Sequence, residues 1–190
     1  MKTLVAAIVV ALAAIGQSAP EFTVKSVKGE SVSLADFKDK VVVLEWVNFS
    51  CPFVKKHYRS GNIPKLQETY TGKGVVWLSI NSSAKGKQGY LEPAKMAELA
   101  ANNGNRASYF LMDTDGTVGR AYGAKVTPQL VIIHKDGTLA YDGAIDSKPT
   151  ANPEDIASAE PLFANALDAV LAGKTVANPK NKPYGCGVKY

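Results

Sequence analysis

The sequence of 190 residues contains two cysteines, Cys51 and Cys186. The setting of the first could support chemistry. Cys51 lies in LEWVNFSCPFVKKHY, which runs from Leu44 to Tyr58 and follows Val41-Val42-Val43 without a polar break. The aliphatic run predicts a strand buried on both faces. Pro52 then predicts a helix start, because proline's fixed φ suits the first helical position and its missing N–H would be unpaired there. Cys51 is thereby placed at the N-terminal end of a helix that follows a central strand. Free N–H groups and partial positive charge at a helix start favour a thiolate, and Lys55 and Lys56 add charge one turn on. A thiol with an ordinary pKa of ~8.5 would become a usable nucleophile there. The alternative is a cysteine that serves only as a small buried hydrophobe.

Cys186 stands in PYGCGVKY, near the end of an extended, proline- and glycine-containing tail from Lys174 to Tyr190. From Gly173 to Cys186 there are thirteen steps, which at ~3.3 Å each span about 40 Å. A domain of this size is on the order of 38 Å across, so the tail can bring Cys186 to Cys51. Two roles are open for such a pair. One is a permanent disulfide pinning the tail, worth about 5 kcal/mol in the chain-entropy model. The other is a resolving thiol that attacks an oxidised Cys51 during turnover.

The remaining elements must position these residues. Phe22 to Leu34 reads as a hairpin turning at Lys28-Gly29-Glu30, with a helical turn over Leu34 to Phe37. A helix is expected over Ile63 to Tyr70, a buried strand over Gly74 to Asn81, and a helix from Pro93 to Asn103. Tyr109 to Met112 reads as a short strand. Asp113-Thr114-Asp115-Gly116 reads as a turn, since it lacks the further ligands of a calcium loop. Val118 to Gly123 gives a helical turn. Gln129 to His134 and Thr138 to Tyr141 form strands about a two-residue Asp136-Gly137 turn. Asn152-Pro153 opens a helix that kinks or restarts at Pro161. The order predicts an α/β fold with a mixed central sheet flanked by helices, an N-terminal hairpin and an extended C-terminal tail.

The chain resembles the thioredoxin-fold AhpC/TSA (redoxin) superfamily, which includes peroxiredoxins and TlpA-like thiol oxidoreductases. The resemblance rests on the strand-to-helix cysteine, on GExVxLxDFKDK before the central strand, and on GRAYGA before Val126-Thr127-Pro128. It implies that Cys51 is the nucleophile and that Glu45 is a buried carboxylate relaying protons to and from it. It also implies that Thr127-Pro128 is a cis pair facing the cysteine. Val54 stands where thioredoxins keep a second cysteine. Asn48 occupies the place where peroxiredoxins carry a Thr or Ser that contacts peroxide. Arg106 and Arg120 match no arginine motif of that family. His57, six residues past Cys51, reads as a surface residue. A copper site of the CxxxCP kind would need a cysteine at Val47, so no metal is expected, and no cofactor either.

The +5 net charge is scattered without a basic block, which argues against a nucleic-acid partner. Met1-Lys2, the apolar run Leu4 to Ile15 and the small residues from Gly16 to Ala19 read as a secretory signal peptide. The expected organisation is a signal peptide over 1–19, a thioredoxin-like domain over 20–173, and the tail over 174–190. The mature protein would be periplasmic or secreted and have no stable membrane association. The expected activity is that of a thiol-dependent oxidoreductase, a peroxidase with Cys51 as nucleophile and Cys186 as resolving thiol. The alternatives are a protein disulfide oxidoreductase and a non-catalytic binding module. Its partners would be a peroxide or disulfide substrate and a thiol electron donor.

Overall fold

The computed structural model describes residues 13–190. The charged start and most of the apolar run of the expected signal peptide lie outside the described residues. Thr23–Lys25 (β1) and Ser31–Ser33 (β2) pair antiparallel as the N-terminal hairpin, followed by a 3-10 turn at Leu34–Phe37. Then come Val42–Trp46 (β3), Pro52–Arg59 (α1), Asn62–Thr71 (α2), Val76–Asn81 (β4), Pro93–Asn102 (α3), Tyr109–Met112 (β5) and Thr117–Ala121 (α4). Val126–Thr127 (β6), Gln129–Ile133 (β7), Leu139–Gly143 (β8), Leu162–Leu171 (α5) and Cys186–Gly187 (β9) complete the order.

The five-stranded sheet runs β5-β4-β3-β7-β8, with β3 parallel to β4 and antiparallel to β7. All five residues of β3 are buried, as the unbroken aliphatic run predicted. Alternate residues feed two cores. Val43, Trp77, Leu130 and Ile132 join the helices α1, α2 and α5 on one face. Val42, Leu44, Trp46 and Ile80 pack with the hairpin and Tyr122 on the other. Near Pro161 the helix begins again: a 3-10 turn capped by Asn152 ends at Ser158, and α5 starts at Leu162. Its Phe163 meets Trp77 and Tyr141 edge-on, at centroid distances of 5.3 and 6.2 Å. Burying a side chain of that size contributes roughly 1.5–3 kcal/mol.

Pairing with the domain begins upstream of Pro20. Gly16 N–H donates to Leu139 O at 2.8 Å, Leu139 N–H to Gln17 O, and Ser18 bridges Thr138, so this segment extends the outer edge of β8. The tail does not hang free either. Asp142 N–H donates to Pro179 O, Asn181 sits against Tyr141, and the C-terminal Tyr190 lies on α4 with its hydroxyl on Ala124 O at 2.8 Å.

Candidate active site

The site forms where the C-terminal end of β3 meets the N-terminal end of β7, because their antiparallel register pairs Trp46 with Gln129. Cys51 is the N-cap of α1, with extended φ and ψ of −74° and 127°, and Pro52 follows at the first helical position. Cys51 O accepts from Lys55 N–H at 2.9 Å, so the cysteine is fixed by the helix it begins. Its Sγ lies 3.1 Å from Thr127 O, and the Thr127–Pro128 peptide is cis. The cysteine and the pair Thr127-Pro128 therefore come together, as the family resemblance implied.

Cys186 joins them through the backbone. β9 pairs antiparallel with β6, setting Cys186 opposite Thr127 and Gly187 opposite Val126. Gly185 makes the approach possible: its φ of +147° is open to glycine, and a Cβ there would collide with the Thr127 carbonyl. Both cysteines are free thiols, and Cys51 is 0% exposed.

Burial pushes the Cys51 thiol up, but hydrogen bonds from the Cys186 thiol, the Val54 and Cys186 N–H groups and the Thr127 side chain outweigh it. The net shift is downward from the ordinary cysteine value. The Thr127 carbonyl accepts from the protonated sulfur. Among the described residues the buried Thr127 Oγ1 has no competing hydrogen-bond partner, which leaves it as a donor for the ionised sulfur. Cys186 shifts the other way, to about 11, through burial and then its contact with Cys51. The pair is thus polarised, with Cys51 the more acidic thiol and Cys186 the donor.

The other residues singled out in the sequence are placed differently. Glu45 is fully buried, yet its carboxylate faces the body of the sheet and not Cys51. It accepts from Trp77 Nε1 and Tyr58 OH, both at 2.8 Å, from Gln67 Nε2 at 2.9 Å and from Ser79 Oγ at 3.0 Å. Burial raises its pKa against those four donors. The implied proton relay to Cys51 has no direct contact behind it. Asn48 is also occupied: its Oδ1 accepts from Ser50 N–H, and its Nδ2 points to Gln88 O at 3.4 Å. Arg106 pairs with Glu68, and Arg120 lies over the Tyr190 ring, so neither belongs to the groups around Cys51.

His57 is not a surface residue but 0% exposed. Burial lowers its pKa to about 4, so it is neutral at pH 7. It sits with Lys56, also buried, and both lie against Asp146, at 3.8 and 3.6 Å respectively. The charge of Lys56 is thereby spent on Asp146. Tyr184, two residues before Cys186, enters this group and donates its hydroxyl to Asp146. The sequence signals for these partners were weak, since Asp146 and Tyr184 stand in ordinary-looking loop and tail segments.

A redoxin family model matches residues 14–160 of the chain. The chain belongs to the redoxin family. No curated protein matched it. Among solved structures, an uncharacterized conserved protein of Geobacillus kaustophilus is 30% identical, covering 93% of this chain and 92% of its own, with a TM-score of 0.78. A protein of Sinorhizobium meliloti is 25% identical over 93% of this chain and 94% of its own, also at 0.78. A secreted Mycobacterium tuberculosis disulfide oxidoreductase, homologous to E. coli DsbE, is 22% identical over 62% of this chain and 79% of its own, at 0.50. That likeness is one of fold, which is thioredoxin-like. The family and the polarised thiol pair support a thiol oxidoreductase.

Proposed function

We propose that this redoxin reduces peroxides with Cys51 as the attacking thiolate and Cys186 as the resolving thiol. The observation that carries the proposal is the β6–β9 register, which sets a second thiol on a cysteine whose own pKa is lowered. In the first step the Cys51 thiolate attacks one peroxide oxygen, the O–O bond breaks, and sulfenic acid and hydroxide (or alkoxide) form. In the second, Cys186 sulfur attacks that sulfenic sulfur, giving the disulfide and water. Two thiols of an external donor then return the pair to the reduced state. The complete burial of Cys51 under the tail suits an oxidant as small as a peroxide.

The second reading is a disulfide oxidoreductase, in which Cys51 attacks a partner's disulfide and Cys186 resolves the mixed disulfide. It is favoured by Thr127-Pro128 lying directly against Cys51. Equimolar hydrogen peroxide separates the two. Under the first reading the reduced protein loses both thiols far faster than free cysteine does, Cys51→Ser abolishes the loss, and Cys186→Ser leaves a trappable sulfenic acid. Oxidation no faster than that of free cysteine, combined with reduction of an insulin-type disulfide, would replace the first reading with the second. Slow reaction with both oxidants would leave a binding module. Export is part of the same proposal, supported by the signal-like segment from Met1 to Ala19. The N-terminus of the protein recovered from cells checks it.

A further inference from the structure

We infer that Tyr184 is a positioning residue for Cys186: its hydroxyl, held on Asp146 between Lys56 and His57, keeps the second thiol seated on Cys51. This rests on the pairing of Cys51 and Cys186 proposed above. The seat is a directed chain of hydrogen bonds. Asn62 Nδ2 donates to His57 Nδ1 at 2.9 Å, which leaves the neutral ring's proton on Nε2. Nε2–H faces the Tyr184 oxygen at 3.2 Å, and the Tyr184 hydroxyl donates in turn to Asp146 Oδ1. Lys148 N–H also donates to Asp146 Oδ1 at 2.9 Å, and Lys56 Nζ donates to Lys148 O at 3.0 Å. The rings of Tyr184 and Phe53 meet edge to face, with centroids 5.8 Å apart.

The location of this seat separates it from ordinary tail glue. Phe53, Lys56 and His57 all lie on α1, the helix that Cys51 caps. Nucleophile and the α1 side of the seat are therefore carried on one helix, and Asp146 closes the seat from the segment after β8. Only Gly185 stands between Tyr184 and Cys186, so fixing the tyrosine fixes the cysteine against Thr127. Apart from the β6–β9 pairing and the Val188 N–H bond to Lys125 O, which hold the backbone beside Cys186, the tail side chains Asn181 on β8 and Tyr190 on α4 bind to different elements and at a greater distance along the chain. Releasing Tyr184 lets Cys186 sample positions away from Cys51 in the reduced state, which lowers the effective concentration of one thiol at the other.

The test equilibrates the full chain with glutathione and glutathione disulfide. In this exchange, reduced protein and one glutathione disulfide give the Cys51–Cys186 disulfide and two glutathione thiols, a two-electron transfer. Tyr184→Phe, which loses the hydrogen bond to a charged acceptor, is expected to lower the equilibrium constant about tenfold. Tyr184→Ala, which also releases the ring, is expected to lower it about a hundredfold. Thermal unfolding of the reduced variants runs alongside. If the tyrosine only fills a cage around buried charge, melting falls while the thiol equilibrium stays within twofold of wild type, and the inference is overturned. Should Tyr184→Ala fail to fold, Tyr184→Phe keeps the ring on Phe53 and decides alone. A wild-type protein that forms no Cys51–Cys186 bond in this buffer overturns the pairing itself, and the role of Tyr184 with it.

Discussion

Gly185→Ala should lift the tail from the active site while leaving the domain intact. The new Cβ would collide with the backbone carbonyl of Thr127, and neither side is a flexible side chain that could swing away. Restoring ordinary contact needs a shift of about 1 Å, enough to break the pairing of Cys186 with Thr127 and of Gly187 with Val126. The Val188 N–H bond to Lys125 O, 3.0 Å long, goes with them. Two or three backbone hydrogen bonds at ~1 kcal/mol net amount to roughly 2–3 kcal/mol. Alanine at a φ of +147° adds strain of order 1–3 kcal/mol. Together these shift the balance from the docked toward the lifted tail by about 3–6 kcal/mol relative to wild type, or a factor of ~10² to 10⁴. The assay is alkylation of Cys51 by iodoacetamide as a function of pH, in a Cys186→Ser background so that one thiol reacts. The plateau rate at high pH should rise at least ~100-fold, because Cys51 is no longer covered. The midpoint reports the balance of two losses, the burial that raises the Cys51 pKa and the tail N–H that lowers it. An unchanged plateau with an unchanged midpoint would refute the idea that the tail covers and tunes Cys51.

Three further outcomes are expected. Since burial holds His57 near pKa 4, well below its ordinary 6.5, the unfolded chain binds more protons between those values, so stability is lost as the pH is lowered through this window. At 1.36 kcal/mol per unit the loss approaches roughly 3 kcal/mol, and urea midpoints should show it shrinking in His57→Gln. Glu45 acts in the opposite sense: its pKa is raised on folding, so its contribution weakens as pH rises above the ordinary carboxylate value. Glu45→Gln should flatten that slope and leave the alkylation midpoint of Cys51 unmoved, whereas Glu45→Ala, which strands four donors, should cost about 3 kcal/mol or more in denaturant melts. Gly119→Ala should displace the Tyr190 ring, which occupies the space of the new methyl, and raise amide exchange across Val188 to Tyr190 before any other segment.

Much of the fold was legible because its signals are local. The aliphatic run before Cys51, the proline after it and the Asp136-Gly137 turn each determine their neighbours' conformation within a few residues, and the strands and helix fall where those signals put them. The cis bond was legible only through family resemblance, since a proline at a strand start has no fixed isomer in the sequence. Tail length showed that Cys186 could reach Cys51, but not that it would do so as a strand on β6.

His57 shows why the rest was hidden. A histidine six positions past the cysteine on an eight-residue helix reads as solvent-facing if only that helix is considered. What buries it comes from elsewhere: Asp146 from the segment after β8, and Tyr184 from a tail 127 residues further along the chain. Neither has a periodicity or a motif, because a tail that lies flat on a domain buries single side chains and no stripe. The same reasoning accounts for Glu45. Its spacing from Cys51 matches that of a proton relay, but four donors from β4, α1 and α2 claim both of its oxygens. Spacing along a strand sets the face on which a side chain emerges; the donors already waiting on that face decide what it does.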